Sequence, residues 1–286
     1  MKSTIDCVYC YLKQAVSCMT INGIDEKEQH RVVYRLMDEI KELNPEDTPA
    51  LNSTKVLLKT YEMIGIDDPY DQAKKSSNDL ALDLYPKVKE VLSDSQDRLL
   101  DALKISVAGN VIDLGISRTF DIEGSLRHSL KDGFSINHYG RFREMLDETD
   151  QVLFLGDNAG EIVFDKILVE ELCALGKQVL YVVKDGPILN DSTMEDACYT
   201  GMDQIARVIT TGSRYLGVNP DDASEEFLKE MKEASLVIAK GQANFESLEA
   251  EALAAGKTFF LLKIKCESVG KVAEAPLGDV VFLHRQ

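Results

Sequence analysis

Gln151-Val-Leu-Phe-Leu-Gly156-Asp157-Asn158-Ala-Gly160-Glu161-Ile-Val-Phe-Asp165 is the stretch whose reading decides the fold. An apolar run over 152–155 stops at Gly156, oxygen-bearing side chains follow at once, and a helical pattern continues from about 161 to 175. The order is strand, tight turn, helix. In an open α/β sheet such turns hold ligands, because helix N-termini and loop amides face the crevice beyond the strand ends. A carboxylate and an amide side by side suit a hard divalent cation, which prefers oxygen ligands.

Downstream the same rhythm repeats. Apolar runs at 179–183, 208–210, 235–239 and 258–264 alternate with helical patterns, the last of which before Gly256 is expected to reach Ala255. Ser192-Thr-Met-Glu195 has capping-box spacing for the helix after the second strand. Short apolar strands alternating with helices imply a parallel sheet covered on both faces. With right-handed crossovers, loops that follow strands emerge on one edge and can converge. The loops at 156–161 and 184–193 bring oxygen ligands, Asp157, Asn158, Asn190 and Asp191. Those at 240–246 and 265–267 bring Lys240, Lys265 and amide donors, which suit a phosphate. Oxygen ligands facing ammonium groups is the layout expected for phosphoryl chemistry. Each piece also has a plainer reading: Asn158 as a helix cap with Glu161 at the third helical position, Asp191 or Ser192 as the next cap, Lys240-Gly241 as a turn.

Before residue 100 no strand alternation is visible. Val8, Leu12, Ala15 and Met19, then Val32, Leu36 and Ile40, recur at helical spacing, with Asn22-Gly23 as a break and Asp25 as an N-cap. Further helices are expected over 51–64 and from 71 toward 90, where Pro86 is expected to kink or interrupt the pattern. The fold expected is α/β, a Rossmann-like parallel sheet with helices on both faces, preceded by an all-helical part. The boundaries are 1–149 for the helical subdomain and 150–286 for the metal- and phosphate-binding domain. Cys7 and Cys10 lie three apart on one helical face, as a redox pair, shared metal ligands or half-buried thiols, with Cys266 as a distant third ligand. Asn110 and Asp113 share a helical face too, contributing to the site or to helix packing.

The formal net charge of -17 opposes nonspecific nucleic-acid binding, which needs a basic footprint. No apolar run approaches the roughly 20 residues of a membrane span, and no signal-peptide pattern opens the chain, so a cytoplasmic location is expected. The six cysteines do not resemble a small secreted disulfide framework.

The same motifs resemble the DUF89 damage-control phosphatases: Gly156-Asp157-Asn158-Ala-Gly160-Glu161, Asn190-Asp191-Ser-Thr193 with Asp196 beyond, Lys240-Gly241-Gln-Ala-Asn244-Phe245, and Leu262-Lys-Ile-Lys265-Cys266. Cys7-x-x-Cys10 and Gly109-Asn110-Val-Ile-Asp113 look like the prokaryotic branch. The resemblance implies metal-dependent hydrolysis of small phosphorylated metabolites. It places a divalent ion (magnesium, manganese, cobalt or nickel) on Asp157, Asn158 and Asp191. Phosphate would lie at Lys265 with Lys240, Gly241 and Asn244. For catalysis at such a site the residues expected are Glu161, or another local carboxylate, to orient a water activated by the metal on Asp157, or alternatively Asp157 itself through a covalent aspartyl-phosphate. Asn190, Asn110 and Asp113 would support the site or the substrate. Where relatives acting on sugar phosphates carry an Arg after the aromatic residue of the Lys-Gly motif, this chain has Glu246.

Two other classes compete. An S-adenosylmethionine-dependent carboxyl methyltransferase also uses a Rossmann-like sheet, but the first loop lacks a Gly-x-Gly run and the second strand ends in Val183-Lys184. A non-catalytic metal- or nucleotide-binding module is the other alternative.

Overall fold

In the computed structural model, residues 1–108 and 133–285 are described; Asn110 and Asp113 lie outside them. Five helices come first: α1 (Ile5–Ile21), α2 (Glu26–Lys41), α3 (Pro49–Ile64), α4 (Asp71–Ser93) and α5 (Arg98–Ala108). Then follow β1 (Ile136–Asn137), α6 (Tyr139–Asp147), β2 (Gln151–Leu155), α7 (Glu161–Ala174), β3 (Gln178–Val183), α8 (Met194–Thr200), β4 (Arg207–Thr210), α9 (Glu225–Glu233), β5 (Val237–Lys240), α10 (Gln242–Leu248), β6 (Thr258–Lys263), α11 (Glu267–Ala273) and β7 (Val280–His284).

The expected helix breaks have local causes. Asp25 accepts a hydrogen bond from the Glu28 amide, and Thr48 accepts one from Leu51 with Pro49 in the first turn. Pro86 does not interrupt α4, which runs unbroken for 23 residues. The helix after β5 is shorter than expected: α10 stops at Leu248, and the chain reaches Gly256 through turns closed by Glu251 to Leu248 and Ala254 to Glu251 hydrogen bonds.

The seven strands lie in the order β1-β7-β6-β5-β2-β3-β4. Neighbours from β6 to β4 all pair parallel. β7 runs antiparallel to β6 and carries β1 parallel to itself at the edge. These two short edge strands were not anticipated from the sequence. β2, β3, β5 and β6 are buried on both faces, while the edge strand β4 buries only Ile209, and alternation decides which side chain goes where. Val152 and Phe154 enter the core under α4, α5 and α7, whereas Leu153 and Leu155 enter the opposite core under α9, α10 and α11. Burying each such side chain contributes about 1.5–3 kcal/mol.

The α7 helix is apolar nearly all round because α4 and α5 cover the face turned away from the sheet. The α1, α2 and α3 helices close a smaller core of their own around Tyr11, Met19, Val32 and Leu36. A further cluster ties α1 and α3 through Leu57 and Tyr61 to Ile188 and Leu216. Strand order reverses between β2 and β5: the chain moves from β2 to β3 and β4, then returns to β2's other side with β5 and β6. Such a switch point opens a crevice at the carboxyl ends of the two strands.

Candidate active site at the strand-order switch

The crevice is where Asp157 sits. Gly156 lets the chain pass over Tyr181, since a Cβ there would lie 2.5 Å from the tyrosine oxygen. The loop after β3 is bound to the loop after β2 main chain to main chain. Ser192 N donates to Asp157 O at 2.8 Å, Ala159 N donates to Asn190 O at 2.8 Å, and Asn158 and Asp191 form an isolated antiparallel bridge. The hydroxyl of Ser192 also donates to Asp157 O, at 3.0 Å. That engagement shifts the expected capping box by one residue, to Thr193 with Asp196. Asn158 is not a helix cap either; Gly160 occupies that position at φ +80°. The Asn158 amide instead donates to Asp157 Oδ2 at 3.1 Å and to Glu161 Oε1 at 2.8 Å.

Asp157, Asp191 and Glu161 are all buried. Burial, then the charge of Asp191, raises Asp157 to about 7, against the pull of Lys265, Lys240 and Lys184. Burial raises Glu161 to about 7 and Asp191 to about 6. One oxygen of Asp191, Oδ2, has no hydrogen-bond partner, and its nearest recorded cation, Lys184 Nζ, stands 3.8 Å away. Lys184 itself donates to Gly217 O. Adjacent desolvated carboxylates with an unpartnered oxygen form an environment that a divalent cation neutralises. Among the described residues no three His, Cys, Asp or Glu side chains are grouped to hold an ion. A cation on Asp157 and Asp191 would need further oxygen ligands; the Asn158 side chain adjoins them, with its amide nitrogen turned to Asp157 and Glu161 and its amide oxygen outside those two hydrogen bonds.

The structure separates the two lysines that the sequence grouped. Lys265 is exposed at the mouth of the crevice, close enough to lower both Asp157 and Asp191. Lys240 is 1% exposed and faces backward: its ammonium donates to Asp165 Oδ1 at 2.6 Å and to Ser106 O at 2.9 Å, and lies 3.4 Å from Glu161 Oε2. Burial pulls its pKa down, and Asp165 with Glu161 outweighs that, leaving it raised. Asn244 is likewise structural in its contacts, donating to Gly156 O at 3.1 Å and Lys240 O at 2.8 Å. Gly241, at φ +81°, lets β5 come against Asp157; a Cβ there would fall within 2.8 Å of Oδ1 and closer still to Oδ2.

Several supporting residues escaped the sequence reading. Asp165 accepts from Lys240, from Ser106 Oγ at 2.6 Å and from the Tyr181 hydroxyl at 2.8 Å. Its signal was present, one helical turn after Glu161 on the same face. Asn78 in α4 accepts from the Gly160 amide at 2.6 Å and donates to Asp196 Oδ1 at 2.8 Å; no spacing in the sequence points to it.

A cavity of about 1030 Å³ opens from Asp157, Asn158, Glu161, Asn190 and Asp191 toward Lys265, with α1 and α3 as its far wall. Cys7 and Cys10 on α1, and Cys266 at the head of α11, line the cavity as free thiols. The thiols of Cys10 and Cys266 are raised by burial first.

Fold and cavity together define an open-sheet α/β protein with a deep cavity at its strand-order switch point. Within that class, the chain belongs to the family of the damage-control phosphatase ARMT1-like domain, whose signature matches residues 3–281. An uncharacterized protein of Methanocaldococcus jannaschii is 37% identical over 287 residues, covering 98% of this chain and 94% of that one. A damage-control phosphatase of Pyrococcus horikoshii is 31% identical over 289 residues, covering 100% of this chain and 99% of its own. Among solved structures, a DUF89 family protein from Pyrococcus horikoshii superposes with a TM-score of 0.93 at 30% identity, covering 100% of both chains. Among the described residues no helix is long and apolar enough to cross a membrane.

Proposed function

We propose that this protein is a divalent-metal-dependent phosphatase acting on small phosphorylated metabolites. The observation that carries the reading is the pair Asp157 and Asp191, buried beside each other at the β2–β5 switch, with Asp191 Oδ2 lacking a hydrogen-bond partner and Lys184 3.8 Å from it. The names borne by the relatives from Pyrococcus horikoshii and Archaeoglobus fulgidus, both damage-control phosphatases, point the same way. Asp157, Asn158 and Asp191 would hold the ion; magnesium, manganese, cobalt and nickel all accept such an oxygen set. When bound, the ion supplies Lewis acidity to a phosphate oxygen and lowers the pKa of a water.

The chain's own residues do the rest. Lys265, exposed at the mouth, neutralises charge on the phosphate oxygens. Glu161, raised to about 7 and held by Asn158 on one oxygen and Lys240 on the other, is placed to take a proton from the attacking water near neutral pH. The water oxygen bonds to phosphorus, the ester P–O bond breaks, and the proton held by Glu161 goes to the departing alcohol. Lys240 and Asn244 act behind the site: one holds Glu161 and Asp165, the other joins the ends of β2 and β5.

The test is turnover of p-nitrophenyl phosphate with each of the four metals, with chelator, and in the Asp157→Ala and Asp191→Asn variants. Release of phosphate that needs metal and is lost in both variants is expected. Metal-dependent turnover surviving in Asp157→Ala overturns the assignment.

A further inference from the structure

The cavity continues past the carboxylates along α10. Gln242, in the first turn of that helix, bridges two parts of the wall: its amide oxygen accepts from the Lys265 main-chain nitrogen at 3.1 Å, and its amide nitrogen donates to Glu246 Oε1 at 2.8 Å. Glu246 lies one turn further on, about 6 Å along the helix axis by the rise of 1.5 Å per residue. Its side chain lines the cavity yet is buried, unlike the other acids of the wall, Asp6 and Glu267, which are exposed.

A buried carboxylate is normally paired with a cation. Among the described residues Glu246 forms no ion pair with a Lys, Arg or His side chain. The positive group that acts on it is the Met1 amine, which itself contacts the Glu246 main-chain oxygen at 2.7 Å and the Glu249 carboxylate at 3.1 Å. Its neighbours across the wall, Cys10 and Cys266, are thiols raised by burial and supply no positive charge. Burial accordingly holds the Glu246 carboxyl up at about 7. Lys263 and Lys265 also line the cavity; neither is among the charges acting on Glu246, and Lys265 acts on Asp157 and Asp191, where the phosphate is placed.

We infer that Glu246 is the subsite for a cationic amino group on the alcohol part of the substrate, so that the protein prefers aminated phosphate monoesters to their hydroxyl counterparts. The inference rests on the phosphatase reading for the placement of the phosphate at Lys265 and the paired aspartates. With the phosphate there, the alcohol part runs along Gln242 and its ammonium meets Glu246. A second phosphate or a carboxylate at that end would face the Glu246 carboxylate and be repelled. A plain hydroxyl could accept or donate one hydrogen bond there but would leave the carboxylate without its counter-charge.

The experiment compares glucosamine phosphate with glucose phosphate, phosphorylated on the same carbon, in the wild-type protein and in Glu246→Gln. Calorimetric binding and kcat/KM are both read, and p-nitrophenyl phosphate turnover by the wild type is measured alongside. A charge-assisted hydrogen bond predicts a preference of about tenfold or more for the amine in the wild type. Glu246→Gln is expected to bring the ratio of the two close to one. Equal binding of the two by the wild type overturns the subsite, and so does a preference that survives in Glu246→Gln. Failure to hydrolyse p-nitrophenyl phosphate in the presence of metal overturns the phosphatase reading instead, and the calorimetric ratio still decides the subsite.

Discussion

Gly241 and Asp157 touch in a way that permits only a glycine at the end of β5. The positive φ of +81° and the carboxylate beside the missing Cβ are independent demands on the same residue. The contact brings β5 against the first loop, across the strand-order switch.

Gly241→Ala is therefore expected to push the Asp157 carboxylate off its position. Misplacing a reacting group by about 1 Å costs on the order of a hundredfold in rate. Since the backbone conformation is also strained by any side chain, a stability loss of roughly 1–3 kcal/mol accompanies it. Both are read directly, by kcat/KM on p-nitrophenyl phosphate and by urea unfolding. Near wild-type activity in a folded Gly241→Ala protein would show that the contact does not position Asp157.

Lys240 is the residue whose removal should damage the fold most. It is the buried counter-charge of Asp165, with Glu161 on its other side. Breaking a buried pair by deleting one partner costs about 3–5 kcal/mol. Lys240→Met should lose stability on that scale, while the double variant Lys240→Met with Asp165→Asn should recover part of it. A double variant no more stable than the single one would argue against charge compensation as the cause.

These contacts mark where reading the sequence stops. The parallel rhythm of 151–264 was legible because buried strands and the helices between them carry different periods. From that rhythm alone Asp157, Asn158 and Asp191 could be placed on one edge. The direction of a side chain was not legible. Lys240 and Lys265 both follow strand patterns, yet one turns inward to Asp165 and the other stays at the mouth. The two-residue β1 was invisible because it takes its place only by pairing with β7, whereas the apolar run of β7, Val280-Val-Phe-Leu, was as legible as that of β2. Asn78 reaches Gly160 across 82 residues of chain, a contact that exists only once α4 has packed on α7.

The paired acids also set a pH dependence. Burial lifts Asp157 and Glu161 from 3.8 and 4.5 to about 7, and Asp191 from 3.8 to about 6. The folded chain thus holds these protons more tightly than the unfolded chain does. Stability of the metal-free protein should consequently fall as pH rises from about 4 to about 7, the three carboxyls titrating as a set. On the proposed metal site a divalent cation would replace the protons, so its apparent affinity should climb over the same interval and then level off. Melting temperature against pH, with chelator and with millimolar magnesium or manganese, reads both effects. Asp157→Asn should flatten the chelator curve; an unchanged slope in that variant would assign the dependence to other groups.

Asn78 offers the means to separate support of the loop from chemistry in it. Its side chain accepts the Gly160 amide at the head of α7 and donates to Asp196, which closes the capping box of α8. It therefore clamps the two loops that carry Asp157 and Asp191 from the helical side, without lining the cavity. Asn78→Ala leaves a buried amide donor unsatisfied, a cost of about 1–3 kcal/mol. Because Asp157, Asn158 and Asp191 keep their identities, metal should still restore turnover, at a higher metal concentration than the wild type needs. Asn78→Asp keeps the acceptor for Gly160 but adds a carboxylate beside Asp196, so it should recover less than the shape match suggests. The measurement is half-saturation by manganese alongside urea unfolding for both variants. If Asn78→Ala lost stability while its metal half-saturation matched the wild type, the clamp would serve the fold alone and would not position the loops.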